Sequence, residues 1–248
     1  MRILFTAVFS ALSLMAFSQN TKTNSTKPAP AQPPAEQKAN QAPSSAAILT
    51  QHFLKKYATA ARWNDFDVAK DALYDLIMEN PTNDSLIFTL AYYYYENQKA
   101  ASALLVSQDL LARNPKNLTY LELAAVSAES LGVYDKSLQY FESLYLLSNN
   151  INTLYKVAFL QYDLKKIPEC QANTDILLSN KEADAIKVVF NDAENNPKEY
   201  PMKAAVLNLK GLLAMEGGDK VAAKKAYEEA LALAPDFIPA KQNLNKLK

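Results

Sequence analysis

The side chains able to do chemistry are few and scattered. The 248-residue chain has one His, His52, and one Cys, Cys170. A thiolate–imidazole pair requires the two within hydrogen-bond reach. These two stand several helices apart, and packed helices lie about 8–10 Å from one another. A histidine-based metal site lacks ligands, and no Gly-x-Ser-x-Gly elbow occurs. Neighbouring carboxylates are found at Asp65 and Asp67 and at Glu228 and Glu229. On turns or helix faces such pairs read as solvated surface rather than an acid–base couple. Only four Gly occur, three of them (Gly211, Gly217, Gly218) near the end, so a Gly-rich phosphate loop is absent. The residues argue against an enzyme and against any metal or cofactor.

Charge narrows the field further. Lys and Arg number 26 and Asp and Glu 26, for a formal net charge of +0. Without a basic excess, neither nucleic acid nor an anionic membrane is expected as a partner. Met1 to Ser18 has the make-up of a secretory signal: Arg2, an apolar run from Ile3 to Phe17, and a small-x-small end at Ala16-Phe17-Ser18. The run is shorter than the roughly 20 residues of a spanning helix, so cleavage and a periplasmic or secreted location are expected, with no membrane span. Residues 19–44 contain no Leu, Ile, Val, Met or aromatic residue and hold Pro28, Pro30, Pro33, Pro34 and Pro43. Such a stretch buries too little surface to offset the entropy of ordering it. It reads as a disordered Pro-rich linker leading into a domain at 45–248. With a single Cys, an internal disulfide is impossible.

That domain has a beat. A small residue recurs at Ala69, Ala103, Ser137, Cys170 and Ala223, in steps of 34, 34, 33 and 53. Phe53, Ile87, Leu121, Leu154 and Leu207 follow the same steps. So do Tyr57, Ala91, Ala125, Ala158 and Gly211, and likewise Leu76, Leu110, Leu144, Leu177 and Ala230. A period near 34 means stacked helix pairs. In this setting Cys170 is a small packing residue in a column of Ala and Ser. Each unit reads as two helices with a polar turn between them, at Asn64-Asp65, Asn97-Gln98, Leu131-Gly132 and Lys165-Lys166. In the last unit Lys203–Met215 and Lys220–Leu233 form the pair, broken by Gly217-Gly218-Asp219 and stopped by Pro235. Asn80-Pro81 and Asn114-Pro115 close the first two units, with Asn149 a further 34 on.

The 53-residue step leaves 19 extra residues, around 183–202. Ile186, Val188 and Phe190 alternate with Ala185, Lys187 and Val189, then Asn191 to Pro197 supplies turn formers. Alternation beside a turn cluster predicts a β-hairpin. The competing reading is a helix continued through Val189.

Leu207, Gly211, Gly218, Ala223, Tyr227, Ala230 and Pro235 together resemble the tetratricopeptide repeat. The earlier units resemble it in weaker form, so the likeness covers about 45–182 and 203–237. The departures are Glu182, where Pro closes other units, and Tyr57, where a small residue is usual. Exported proteins of the Bacteroidetes contain repeats of this kind, and Asp84-Ser85-Leu86 is similar to their short O-glycosylation acceptor. The resemblance implies an all-α, right-handed superhelical solenoid of helix-turn-helix repeats, with the hairpin before the last repeat. The units are expected at about 50–83, 84–117, 118–150, 151–182 and 203–237, with a cap helix at 238–248.

The resemblance also implies that the first helices of successive pairs line a concave groove. Carried over, that face comprises Ser85, Phe88, Tyr92, Tyr95 and Glu96; Thr119, Glu122, Val126, Glu129 and Ser130; and Asn152, Tyr155, Phe159, Tyr162 and Asp163. Phe88, Tyr92, Tyr95, Glu96, Glu122, Glu129, Tyr155, Phe159, Tyr162 and Asp163 are the expected partner-binding residues. Tyrosine combines large contact area with a polar tip, and four acids favour a Lys- or Arg-bearing peptide. The face lacks the Lys and Asn run that clamps a terminal carboxylate in the chaperone-tail subtype. Of the Tyr92–Tyr95 run, Tyr94 is assigned to the core and Tyr93 to a neighbouring helix. Trp63 is assigned to core or edge packing. The expected function is a non-enzymatic scaffold in the cell envelope binding a protein or peptide. The alternative is a structural part of an envelope or secretion complex, held through the convex face or the 183–202 insertion. The sequence leaves the partner and the oligomeric state open.

Overall fold

The computed structural model describes residues 44–192 and 194–247. The expected signal at 1–18, and the expected linker except Ser44, lie outside these residues. From Ser45 onward the chain forms helix pairs: α1 (Ser45–Arg62) with α2 (Phe66–Glu79), α3 (Asp84–Glu96) with α4 (Ala100–Arg113), α5 (Leu118–Ser130) with α6 (Tyr134–Ser148), and α7 (Ile151–Asp163) with α8 (Ile167–Ser179). After a short 3₁₀ turn, Glu182–Asp184, come strands β1 (Lys187–Asn191) and β2 (Pro197–Pro201). The pair α9 (Met202–Glu216) and α10 (Lys220–Leu233) follows, then α11 (Ile238–Asn245). Each helix packs on the next in sequence within and between pairs, as expected of a helical repeat stack.

The columns read from the sequence are the contact surfaces. Ala69, Ala103, Ser137, Cys170 and Ala223 are each 0% exposed. A side chain no larger than a thiol at this point lets paired helices approach closely. Gly211 shows the limit: a Cβ there would lie 2.3 Å from the ring of Tyr227, a buried residue of α10. Around this seam Leu110, Leu154 and Leu177 are fully buried, each stabilising by about 1.5–3 kcal/mol. The Cys170 thiol donates to the Ala158 carbonyl at 3.1 Å, and burial pushes its pKa up to about 11. A thiol so placed is a packing group and a poor nucleophile.

The turns within pairs share one geometry. At Asn64, Gln98, Gly132, Lys165 and Gly218 the backbone enters the left-handed region, with φ of 55, 58, 72, 59 and 77°. One residue later an amide N–H reaches back five positions: Asp65 to Ala60, Lys99 to Tyr94, Val133 to Ala128, Lys166 to Gln161 and Asp219 to Ala214, all at 2.8–2.9 Å. This is the Schellman closure, which satisfies carbonyls left over at a helix end.

Turns between pairs depend on Asn. Asn83, Asn117 and Asn150 each accept two backbone N–H groups from the helix they start. Between α2 and α3, and between α4 and α5, two residues separate the closing Asn from the capping Asn. Between α6 and α7, Asn149 closes and Asn150 caps with nothing between them. Because α6 is also one residue longer than α2 or α4, the net effect is the 33-residue step.

The insertion is an antiparallel hairpin, with Lys187 opposite Pro201, Val189 opposite Glu199 and Asn191 opposite Pro197. It does not stand alone. Phe190 and Tyr200 both set their rings against Phe237, at 4.9 and 5.0 Å. Lys198 pairs with Asp236, and Lys203 of α9 pairs with Asp184 of the 3₁₀ turn.

A clean pair of substitutions checks the turn geometry. Open space surrounds a Cβ at Gly132, so Gly132→Ala costs only the left-handed penalty, about 1 kcal/mol. Gln98→Gly removes the same penalty and should raise the denaturation midpoint.

Candidate functional site

The face shared by α3 and α5 is built by their caps and register. Asn83 and Asn117 start the two helices in matching phase, and α3 lies against α5 directly. An aromatic strip crosses this seam: Tyr120 of α5 lies 5.5 Å from Phe88, and Phe88 lies 6.3 Å from Tyr92. Tyr92 is 40% exposed, while Phe88, Tyr95 and Tyr120 are half-buried. Tyr93 and Tyr94 turn away toward α1 and α2. Tyr93 stacks on Phe66 at 5.1 Å, and the Tyr94 hydroxyl shares a 2.9 Å hydrogen bond with Tyr74. Tyr94 is thus half-buried with a bonded hydroxyl rather than fully enclosed, as its core assignment had implied. Tyr120 escaped the sequence reading, although it sits beside the Leu121 column.

Acids surround the strip. Burial raises the Tyr95 pKa above the usual tyrosine value, and Glu129, Glu96 and Glu122 raise it further. Those causes place Tyr95 among carboxylates of both helices. Glu122 retains solvent contact, yet the protein around it removes enough water to raise its carboxyl from the usual range. Asp163 behaves in the same way for the same leading cause. Glu129 bonds to Lys156 of α7 at 3.4 Å, a basic residue the sequence reading left out although it adjoins Tyr155. The face is therefore less negative than four acids alone would make it.

The α7 part of the expected groove requires correction. Tyr155 is 4% and Phe159 6% exposed, their rings 4.6 Å apart. Eight of the thirteen α7 residues are buried, because α6, α8 and α9 all pack on this helix. Its Tyr155–Phe159 pair is therefore interior. Tyr162 is half-buried, and its hydroxyl donates to Glu216 of α9 at 3.4 Å, where Lys165 also bonds at 2.6 Å. The open aromatic surface belongs to α3 and α5.

Trp63 is also reassigned. It is 70% exposed, with the Arg62 guanidinium 5.6 Å from its ring centre. Of its counterparts in register, Leu131 and Gly217 are exposed, whereas Asn97 and Leu164 are partly buried. Among the described residues no group of three or more His, Cys, Asp and Glu could hold a metal ion. No described helix is long and apolar enough to cross a membrane.

No protein-family model matches the chain, and no curated protein matches it. Solved structures do. A tetratricopeptide repeat protein from Parabacteroides merdae is 17% identical, with a TM-score of 0.60 over 81% of this chain and 72% of that one. MamA is 12% identical, with a TM-score of 0.57 over 80% of this chain and 94% of that one. The fold is that of tetratricopeptide-repeat proteins. Identities this low speak for the backbone arrangement and not for what is bound. Within the tetratricopeptide-repeat arrangement, the exposed strip lies on first helices of adjacent pairs.

Glu122 offers a pH test. Its folded pKa is raised, so the folded state holds the proton more tightly than the unfolded one. Native stability then falls as pH rises through the raised value, and the ionised carboxylate destabilises the fold at neutral pH. Glu122→Gln should be more stable than the parent at neutral pH. Below the ordinary carboxylate range the advantage should vanish, as read by paired denaturant titrations.

Proposed function

We propose that this protein is a non-catalytic scaffold that holds an extended protein segment against α3 and α5. The observation carrying this reading is the strip of Tyr92, Phe88, Tyr95 and Tyr120, open to solvent at Tyr92 and bordered by Glu96, Glu122 and Glu129. Helical-repeat stacks offer long surfaces rather than enclosed pockets. Aromatic side chains on rigid helices give contact area at small entropic cost, and Tyr is enriched among residues that dominate binding energy. The carboxylates favour a partner segment with Lys or Arg among apolar residues. Glu122, already partly desolvated, would gain most from a cation, because the pairing would relieve the unfavourable burial of its charge.

The proposal includes the place of action. The leader-like Met1–Ser18 would deliver the domain across a membrane, and the Pro-containing 19–44 stretch would give it reach within the cell envelope. A second reading, a structural part held through the 183–202 insertion, has one observation in its favour: the outward face of the hairpin is exposed along β1.

Affinity capture from an envelope fraction, followed by mass spectrometry, tests the first reading. Tyr92→Ala with Tyr95→Ala should weaken capture of the main partner by about 2 kcal/mol or more, roughly 30-fold, with helical content unchanged. Glu122→Lys should weaken it too. Capture unaltered by all three changes would refute the α3–α5 assignment. Loss of capture only on deleting 187–201 would move the contact to the insertion.

A further inference from the structure

The two edges of the hairpin are unlike. Backbone bonds Met202 N–H to Ile186 O (2.9 Å) and Asp192 N–H to Asn196 O (2.8 Å) flank the ladder. With the register of Val188 opposite Tyr200 and Phe190 opposite Lys198, they fix the even-numbered residues of β1 as those bonded to β2. The odd-numbered residues therefore turn their N–H and C=O groups outward, because bonding direction alternates along an antiparallel strand. On β2 the outward positions are Pro197, Glu199 and Pro201. Proline has no N–H to donate, so that edge cannot extend the sheet. On β1 the outward positions are Lys187, Val189 and Asn191, all exposed and all with an N–H. The hairpin can grow on one side only.

We infer that the free edge of β1 pairs antiparallel with β1 of a second copy of this chain, joining two hairpins into one four-stranded sheet about a twofold axis at Val189. The sequence of the edge is self-complementary in that arrangement. Val189 would face its own counterpart, and Lys187 would face Asn191, so no like charges meet. Lys187 already has Glu199 at 3.4 Å on its own hairpin. On the opposite face Val188 would face Phe190 of the other copy. Both are only half-buried in one copy, and they adjoin the Phe190–Phe237–Tyr200 cluster. Directly opposed apolar pairs of this kind stabilise sheets. Because prolines close both outer edges of the resulting sheet, association stops at two copies. A parallel partner strand would lose the Lys187–Asn191 pairing, and an unrelated peptide would need to reproduce it. The inference does not rest on the α3–α5 reading, and capture at that face and association at this edge fail separately.

The test uses the purified chain at high micromolar concentration, with light scattering after size exclusion. The parent chain should show twice the chain mass. Val189→Lys, which places two cations face to face at an exposed position without touching bonds within the hairpin, should return it to the single mass with helicity unchanged. Val189→Cys should cross-link with a short bismaleimide, since facing Cα atoms lie about 5.5 Å apart. Glu199→Cys should not, because its counterpart would be three strand spacings away, about 14 Å. The native Cys170 is buried and leaves little background. A parent chain of single mass, a Val189→Lys variant that stays double, or equal cross-linking from position 199 would each overturn the inference.

Discussion

The closeness of the two helices in each pair governs this molecule. At five successive seams the side chain at the crossing is Ala, Ala, Ser, Cys or Ala, and none retains solvent contact. A larger group at any of them would push the pair apart and break the leucine contacts on either side. Packed interiors absorb extra volume poorly. The last pair takes the constraint furthest: Gly211 has no Cβ, and the Tyr227 ring occupies the space one would fill. Burial there pushes the Tyr227 hydroxyl up to about 12. The lone Cys follows from the same requirement.

Much of this was legible because helix pairing demands the same residue type at the same interval. The columns through Ala69, Leu76 and Ala91 located the helices and their turns, and alternation around Val188 located the hairpin. Gln98 and Lys165 were less legible as left-handed turn residues, since neither is a usual choice there. Only their alignment with Gly132 and Gly218 betrays the geometry. Three-dimensional closure, not local propensity, holds them in it through the reach-back amide bond one residue later.

The candidate site was legible in part, for a definable reason. Periodicity states which residues share a face but not what covers it. Phe88 and Tyr155 hold equivalent positions, as do Tyr92 and Phe159. On α3 the first of each pair remains accessible, whereas on α7 both counterparts are enclosed. The difference accompanies the packing of α9 on α7, where Tyr162 and Lys165 meet Glu216. Nothing in the spacing of α7 encodes it. Lys156, which partners Glu129, was hidden for a similar reason: an ion pair between helices leaves no periodic trace.

The joint between α6 and α7 has a mechanical meaning. In a helical-repeat stack each unit contacts only its neighbours, and the rotation from one unit to the next sets the curvature. Where two residues separate closing and capping Asn, backbone torsions remain that can absorb a small rotation. At Asn149-Asn150 every residue already belongs to one helix end or the other, so this link has the fewest free torsions. The links at Pro81-Thr82 and Pro115-Lys116 keep two residues each that belong to neither end, on either side of α3 and α4. The stretch carrying the open aromatic strip is thus joined by links with backbone torsions to spare, and the Asn149-Asn150 joint that follows it has the fewest.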